Sequence, residues 1–309
     1  MNKILTAFFA FMLASCQLGS NHDKTHKTRL YQLVLSPEKE SRYYFTISNE
    51  SEIQTEVSER KVTSGNVSSV GLYYTARKDS AGDVRIQTSY DTIHVKTKTA
   101  EAESEFDAAN ASFSPNPVDK MLGALKGSTF SATVTAKGEV KDISGYKKLT
   151  AKMLANVVTK DAYTQTLARQ QMEELIGKRL VGNNMNQLFK AFPDSGIHIG
   201  DTWQREIKQE DPLGFSFLNH YTLEDVSDSI ATVSVTGKAV SGKTSSVLNN
   251  ATVKELSGTQ EGEYKVDLKT GMVVSSNLSS KIKGVMQSLG KETSFNVRTK
   301  ILMAGHKLN

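Results

Sequence analysis

The stretch Phe130-Ser131-Ala132-Thr133-Val134-Thr135-Ala136 decides the fold class. Its strict alternation aims Phe130, Ala132, Val134 and Ala136 at one face of a strand and the hydroxyl residues at the other. The same period runs through Tyr43, Phe45 and Ile47, set against Tyr44, Thr46 and Ser48. From Leu30 to about Val140 the pattern is strand-like, with turn-type clusters at Ser64-Gly65-Asn66, Ser80-Ala81-Gly82-Asp83 and Ser114-Pro115-Asn116-Pro117. That spacing is the pattern of an antiparallel meander. Alternation returns after Trp203, through Phe215, Phe217 and Tyr221, then Ala231, Val233 and Val235, then Tyr264 and Val266, and last Phe295, Val297, Ile301 and Met303.

Between the two strand groups the period changes to that of a helix. Leu149, Met153, Leu154, Val157 and Val158 share one helical face; Asp161 can cap a second helix striped by Ala168, Met172, Leu175, Ile176 and Leu180. Met185, Leu188, Phe189 and Phe192 recur at i, i+3, i+4 and i+7 before Pro193 stops the run. The expectation is an α+β body of mainly long antiparallel strands, with its helices confined to about residues 149–192. One sheet or two lobes would satisfy the pattern equally. Lys137 to Gly145 and Glu261 to Gly271 also read alike, each as a strand closed by a glycine turn. The match fits either a duplicated curved-sheet unit or a common strand-and-turn device.

The first sixteen residues carry an address. Lys3, the apolar run from Ile4 to Leu13, and Leu13-Ala14-Ser15-Cys16 have the basic start, short apolar core and small residues of a signal peptide, with the chain's single cysteine directly after them. About ten apolar residues are too few to span a bilayer. The expected organisation is therefore a lipoprotein signal peptide at 1–15, a lipidated Cys16 with a polar tether to residue 28, and a body at 29–309. Removing residues 1–15 leaves 37 basic against 33 acidic side chains, spread without blocks. Such a mild, dispersed balance argues against nucleic acid as a partner. With Cys16 committed to a thioether, no thiol remains for a disulfide, a metal or a nucleophile.

The body contains no Gly-x-Ser-x-Gly, His-Glu-x-x-His, phosphate-binding loop or Gly-x-Gly-x-x-Gly. His94 lies between Ile93 and Val95, and His198 between Ile197 and Ile199, so alternation sends both imidazoles to the polar face. The expectation is no enzyme, no cofactor and no metal. Gly200-Asp201 feeds Trp203, the only tryptophan, into a strand, where burial makes it an anchor for the helix-to-strand crossing. Methionine and phenylalanine concentrate on the helical insert, and a flexible thioether adapts to irregular apolar ligands. Met153, Met172, Leu175, Met185, Phe189 and Phe192 are accordingly the candidate wall of a site for a hydrophobic or lipidic ligand. The rival is a non-catalytic scaffold that binds an envelope protein and uses the same residues as closed core.

The lipobox, Gly-Glu-Val-x-x-Ile-x-Gly at 138–145, Ile-x-x-Gly-Asp-Thr-Trp at 197–203 and the turn Val266-Asp267-Leu268-x-x-Gly271-Met272 together resemble an uncharacterised lipoprotein family of Bacteroidota. More distantly, the architecture is similar to the curved half-barrel of LolA- and LolB-type lipoprotein carriers, which hold acyl chains in an apolar concavity. Those resemblances imply a half-barrel-like sheet, no catalytic residues to carry over, and a place in the cell envelope. Gln17, where an inner-membrane retention signal has Asp, implies an outer-membrane lipoprotein; the delay of acidic residues to Asp23 implies its periplasmic face. They also imply O-glycan acceptor motifs at Asp79-Ser80-Ala81, Asp91-Thr92-Ile93 and Asp228-Ser229-Ile230.

Overall fold

The computed structural model describes residues 29–38, 40–57, 60–114, 116–155, 192–208, 215–241, 251–288 and 290–308, together with Thr166, Met185 and Phe189. Cys16, the tether, Met172 and Leu175 lie outside the described residues.

Period-two patterning produces strands throughout: β1 Ser41–Val57, β2 Arg60–Lys78, β3 Val84–Lys98, β4 Glu103–Asp107, β5 Thr129–Val134 and β6 Val140–Ser144 in the first group. The second comprises β7 Thr202–Lys208, β8 Phe215–Ser227, β9 Ile230–Ser241, β10 Ala251–Asp267, β11 Val273–Ser288 and β12 Lys291–Leu308. All twelve form one open, curved antiparallel sheet, in the order β6-β5-β3-β2-β1-β12-β11-β10-β9-β8-β7, with β4 on β3. The two groups are therefore one lobe. The chain winds outward from β1 to β6 and inward from β7 to β12, and the first and last strands pair from Arg42↔Leu308 to Glu56↔Ser294.

Several local expectations change. Ser64-Gly65-Asn66 is no turn but the interior of β2, paired with Glu52 and Ser51 on β1 and with Lys98 and Thr97 on β3. Neighbouring strands satisfy its backbone, which outweighs the local turn preference of a Ser-Gly-Asn triplet. Helix also occurs outside the expected insert. Ala111–Phe113 forms a single 3-10 turn, and α1 spans Pro117–Gly123. The Ser-Pro-Asn-Pro cluster leads into α1 because Ser114 Oγ accepts the amide of Asn116 at 3.1 Å and donates to Asp119 in the first helical turn at 2.5 Å. Helix α2, Tyr146–Leu154, follows as the stripe predicts, burying Leu149 and Met153. The Lys137–Gly145 and Glu261–Gly271 matches do not occupy equivalent places. The first makes edge strand β6; the second lies inside the sheet on β10.

Turns 79–83, 135–139, 228–229 and 268–272 define a lower end of the sheet; the strand ends at Val57, Lys98, Lys208 and Ser288 define the upper end. The lower end is plugged. Tyr31, Leu33 and Leu35 alternate as expected of a strand, yet they form an extended strap across the opening rather than joining the sheet. Tyr31 exchanges two backbone hydrogen bonds with Ile197, Leu35 donates to Ala136 O on the β5–β6 turn, and Ser36 donates to Thr270 O on the β10–β11 turn. The strap passes so near Gly271 that a Cβ there would fall 1.9 Å from Val34 O, at a φ of +69°. The two sheet edges meet the segment that joins them: Gly138 abuts Phe189 O, while Arg205 on β7 donates through Nε to Phe192 O at 3.0 Å and pairs with Asp194 at 2.9 Å. The sheet is thus a cup, stoppered below.

Candidate functional site

Cross-strand register divides the inner face of the cup into three bands. The lowest is the main core, where Tyr43, Phe45, Leu72, Tyr74, Tyr264 and Met303 pack with the strap and helices. Met153, Met185, Phe189 and Phe192 all belong to it and are 1–2% exposed. The structure therefore brings the four described members of the candidate wall into one buried cluster.

Above the core runs a band of polar residues interrupted only by Gly237. Arg205, Asn219, Gly237, Gln260, Ser280, Thr299, Ser51, Asn66 and Thr97 stand opposite one another on successive strands. Asn219 is its most buried side chain at 1% exposure. It lies over Gly237, and its Nδ2 donates to Tyr221 OH at 3.0 Å. Its Oδ1 is buried with no partner among the described residues, an arrangement that costs roughly 1–3 kcal/mol.

Beyond this band the inner face becomes apolar again. Phe215, Phe217, Ile282 and Phe295 form a second buried cluster, flanked by Ala239, Leu256, Met286 and Val297. Register aligns Ile207, Phe217 and Ala239 from β7 to β9, and Gly258, Ile282, Val297 and Ile53 from β10 to β1. Gly284 lets the ring of its cross-strand partner Phe295 lie where a Cβ would stand, 2.7 Å away. At the β1–β2 side this upper band is uncovered: Ile53 is 41% and Val62 48% exposed. Periodicity alone finds each of these residues but not their separation from the core, which exists only across strands. Glycine inside strand-like runs, at 258 and 284, was the available signal of close approach.

The titratable candidates sit elsewhere, on the outer face or in turns. His94 contacts Glu105 at 2.9 Å, and His220 contacts Gln204 at 3.2 Å. His198 turns back on Asp201: its backbone amide donates to that carboxylate at 2.8 Å and, with the neighbouring imidazole, holds the Asp201 carboxyl below the usual range. Among the described residues, no three His, Cys, Asp or Glu side chains converge as a metal site. Trp203 stacks on fully buried Tyr221, with ring centres 5.6 Å apart and planes 16° apart, as an anchor of the crossing into β7.

The outer face is mainly polar, as in Ser48, Glu50, Glu52 and Gln54 of β1 and Asn296, Arg298 and Lys300 of β12. Among the described residues its exposed apolar side chains include Tyr73 and Val67 on β2, Leu302 on β12, and Leu218 and Val240, which lie diagonally on β8 and β9. No helix among the described residues is long and apolar enough to cross a membrane.

A family model described as a family of unknown function, DUF6263, matches residues 81–273, more than half of the chain. No curated protein matches. Among solved structures, one described by lipid–protein interactions in lipovitellin is similar over 88% of this chain at 11% identity and a TM-score of 0.46; the match spans 26% of the lipovitellin chain. The translocator domain of the autotransporter NalP from Neisseria meningitidis is similar at 7% identity over 84% of this chain and 87% of its own, with a TM-score of 0.19. OpdQ of Pseudomonas aeruginosa is similar at 8% identity over 88% of this chain and all of its own, with a TM-score of 0.17.

Proposed function

We propose that this chain, which belongs to the family of unknown function DUF6263, is a non-catalytic envelope lipoprotein whose cup holds an acyl chain or similar hydrophobic ligand. The observation that carries the reading is the upper apolar band. It lies on the same inner face as the core but is separated from it by a row that is polar at every strand except at Gly237, and it forms a cluster of its own. Its uncovered flank at Ile53 and Val62 gives a ligand apolar surface to bury, worth about 0.8 kcal/mol for each methylene removed from water. The insert residues Met153, Met185, Phe189 and Phe192 are already covered, which favours the upper band over the insert as the place of binding. Below it, Asn219 Oδ1 offers an unused acceptor to a hydroxyl or amide on the ligand. Cys16 is the proposed lipid anchor, and the periplasmic face of the outer membrane the proposed location.

Native mass spectrometry of protein purified without detergent tests this. A co-purified lipid is expected, and fluorescent fatty acid should bind at least about tenfold more weakly after Ile53→Glu, with melting unchanged because that side chain is already part-exposed. Protein that emerges empty and ignores the fatty acid would remove the carrier reading and leave the scaffold.

A further inference from the structure

On the outer face of β9–β12, across the sheet from the upper apolar band, lies a depression of about 480 Å³. Lys238, Lys281, Lys283 and Arg298 line it, with Thr259 and Asn296 between them. Register explains the clustering. Lys238 faces Thr259, Thr259 faces Lys281, and Lys281 faces Arg298 on successive strands, with Lys283 two residues along β11. Like charges set directly opposite destabilise a sheet, so Lys281 opposite Arg298 is an arrangement stability alone disfavours. Other lysines of the molecule are paired, Lys96 with Glu103 and Lys141 with Asp83 at 2.6 Å and Lys307 with Glu38 at 2.9 Å, while Lys265 and Lys300 on the outer face stand singly beside uncharged or acidic cross-strand neighbours. Within the depression Arg298 contacts Glu52 at 3.9 Å, while Lys238, Lys281 and Lys283 have no ion pair among the described residues. The polar lining side chains, ammonium, guanidinium, hydroxyl and amide, all carry hydrogen-bond donors, and no carboxylate lines the depression; the rest of the lining is Ala239, Gly258 and Ile282.

We infer that this depression receives the phosphate of an anionic lipid headgroup and docks the upper end of the cup on a bilayer surface. The inference rests on the proposed carrier reading, and strand alternation supplies the link. Ile282 points into the cup between outward Lys281 and Lys283, and Val297 points inward between Asn296 and Arg298. The cationic and apolar surfaces are therefore two sides of the same few residues, placed to meet a headgroup outside and a chain inside. A free phosphate would use the same donors without needing that apolar neighbour.

The test is flotation of the mature chain from residue 16 carrying Cys16→Ala, so that neither signal peptide nor thioether lipid contributes, with vesicles of phosphatidylcholine alone or with about one-third phosphatidylglycerol. Binding should prefer the anionic vesicles, weaken as salt screens the surface, and fall about a hundredfold in the triple variant Lys238→Gln, Lys281→Gln, Lys283→Gln, at about fivefold per cation. An equal charge change at the lower end, Lys137→Gln, Lys147→Gln, Lys148→Gln, should leave binding within about twofold, and circular dichroism melts should show both triples folded. Equal binding by parent and upper triple, or no preference for phosphatidylglycerol, would overturn the inference. Inorganic phosphate that binds the parent and not the triple, while vesicles bind neither, would assign the depression to a free anion instead. The carrier reading fails separately. If the parent carries no lipid yet docks through the three lysines, only that reading falls; if it carries lipid but docks without them, only this inference does.

Discussion

Tyr221 shows how one side chain ties the bands together. Its ring stacks on Trp203 and meets Tyr264 at a tilt, with ring centres 5.6 and 6.2 Å away, and its hydroxyl reaches the polar row at Asn219. Burial pushes the Tyr221 phenol up to about 12, partly opposed by the hydrogen bond from Asn219; burial likewise raises Tyr90 to about 12 and Tyr264 well above the ordinary value. A phenol whose pKa is raised in the folded state retains its proton after the unfolded chain has lost it. The stabilisation it gives is complete below the unfolded value near 10 and disappears as pH rises through the folded one. A shift of about two units for Tyr221 or Tyr90 corresponds to roughly 2–3 kcal/mol each. Stability measured by denaturant should therefore hold to about pH 10 and drop steeply by pH 12, with phenolate absorbance from the buried tyrosines appearing together with unfolding. Their smooth titration near pH 10 in a still-folded protein would contradict the burial. Trp203 as an anchor was legible in sequence, being the one tryptophan after a glycine turn. Its partner was not, because only the β7–β8 register brings Tyr221 beside it.

At the scale of elements, the strap separates what periodicity reveals from what it hides. Alternation of Tyr31, Leu33 and Leu35 correctly marks three inward side chains, exposed by 4%, 2% and 0%. It does not say that their backbone partners are turns rather than strands, since the side-chain period is the same in both cases. Ser64-Gly65-Asn66 misleads in the opposite sense: turn-forming residues lie inside β2 because long-range pairing on both sides satisfies their backbone. Helix α2 was legible because its stripe is local. If the strap is the stopper of the cup, Leu35→Ala should cost about 3 kcal/mol of unfolding free energy by opening a cavity in the core. Leu30→Ala, at 55% exposure, should change stability by less than about 0.5 kcal/mol. Chemical denaturation of the two variants checks this, and equal effects would mean that the strap adds nothing as a plug.

For the molecule as a whole, the sequence announced strands, helices and strands, but not that the two strand groups make one cup through β1 and β12, some 250 residues apart. Nor does periodicity distinguish the lower core from the upper band, since both alternate at the same interval and only register separates them. The resulting polarity bears on the proposed anchor. The described chain begins at Arg29 and enters by the strap at the plugged lower end, whereas the apolar flank and the cationic depression lie at the upper end. Lipid on Cys16 would thus hold the protein by its closed end through a linker of twelve residues, which spans at most about 43 Å. Two acyl chains anchor stably where one binds only reversibly. Cys16→Ala is accordingly expected to move the folded body to the soluble fraction or leave an unprocessed precursor, as read by fractionation and by the mass of the N-terminal peptide. Ile53→Glu should leave membrane attachment of the lipidated chain intact, since the interior of the cup is not its anchor. A Cys16→Ala protein that is normally processed and still needs detergent for release would show that attachment runs through the body itself.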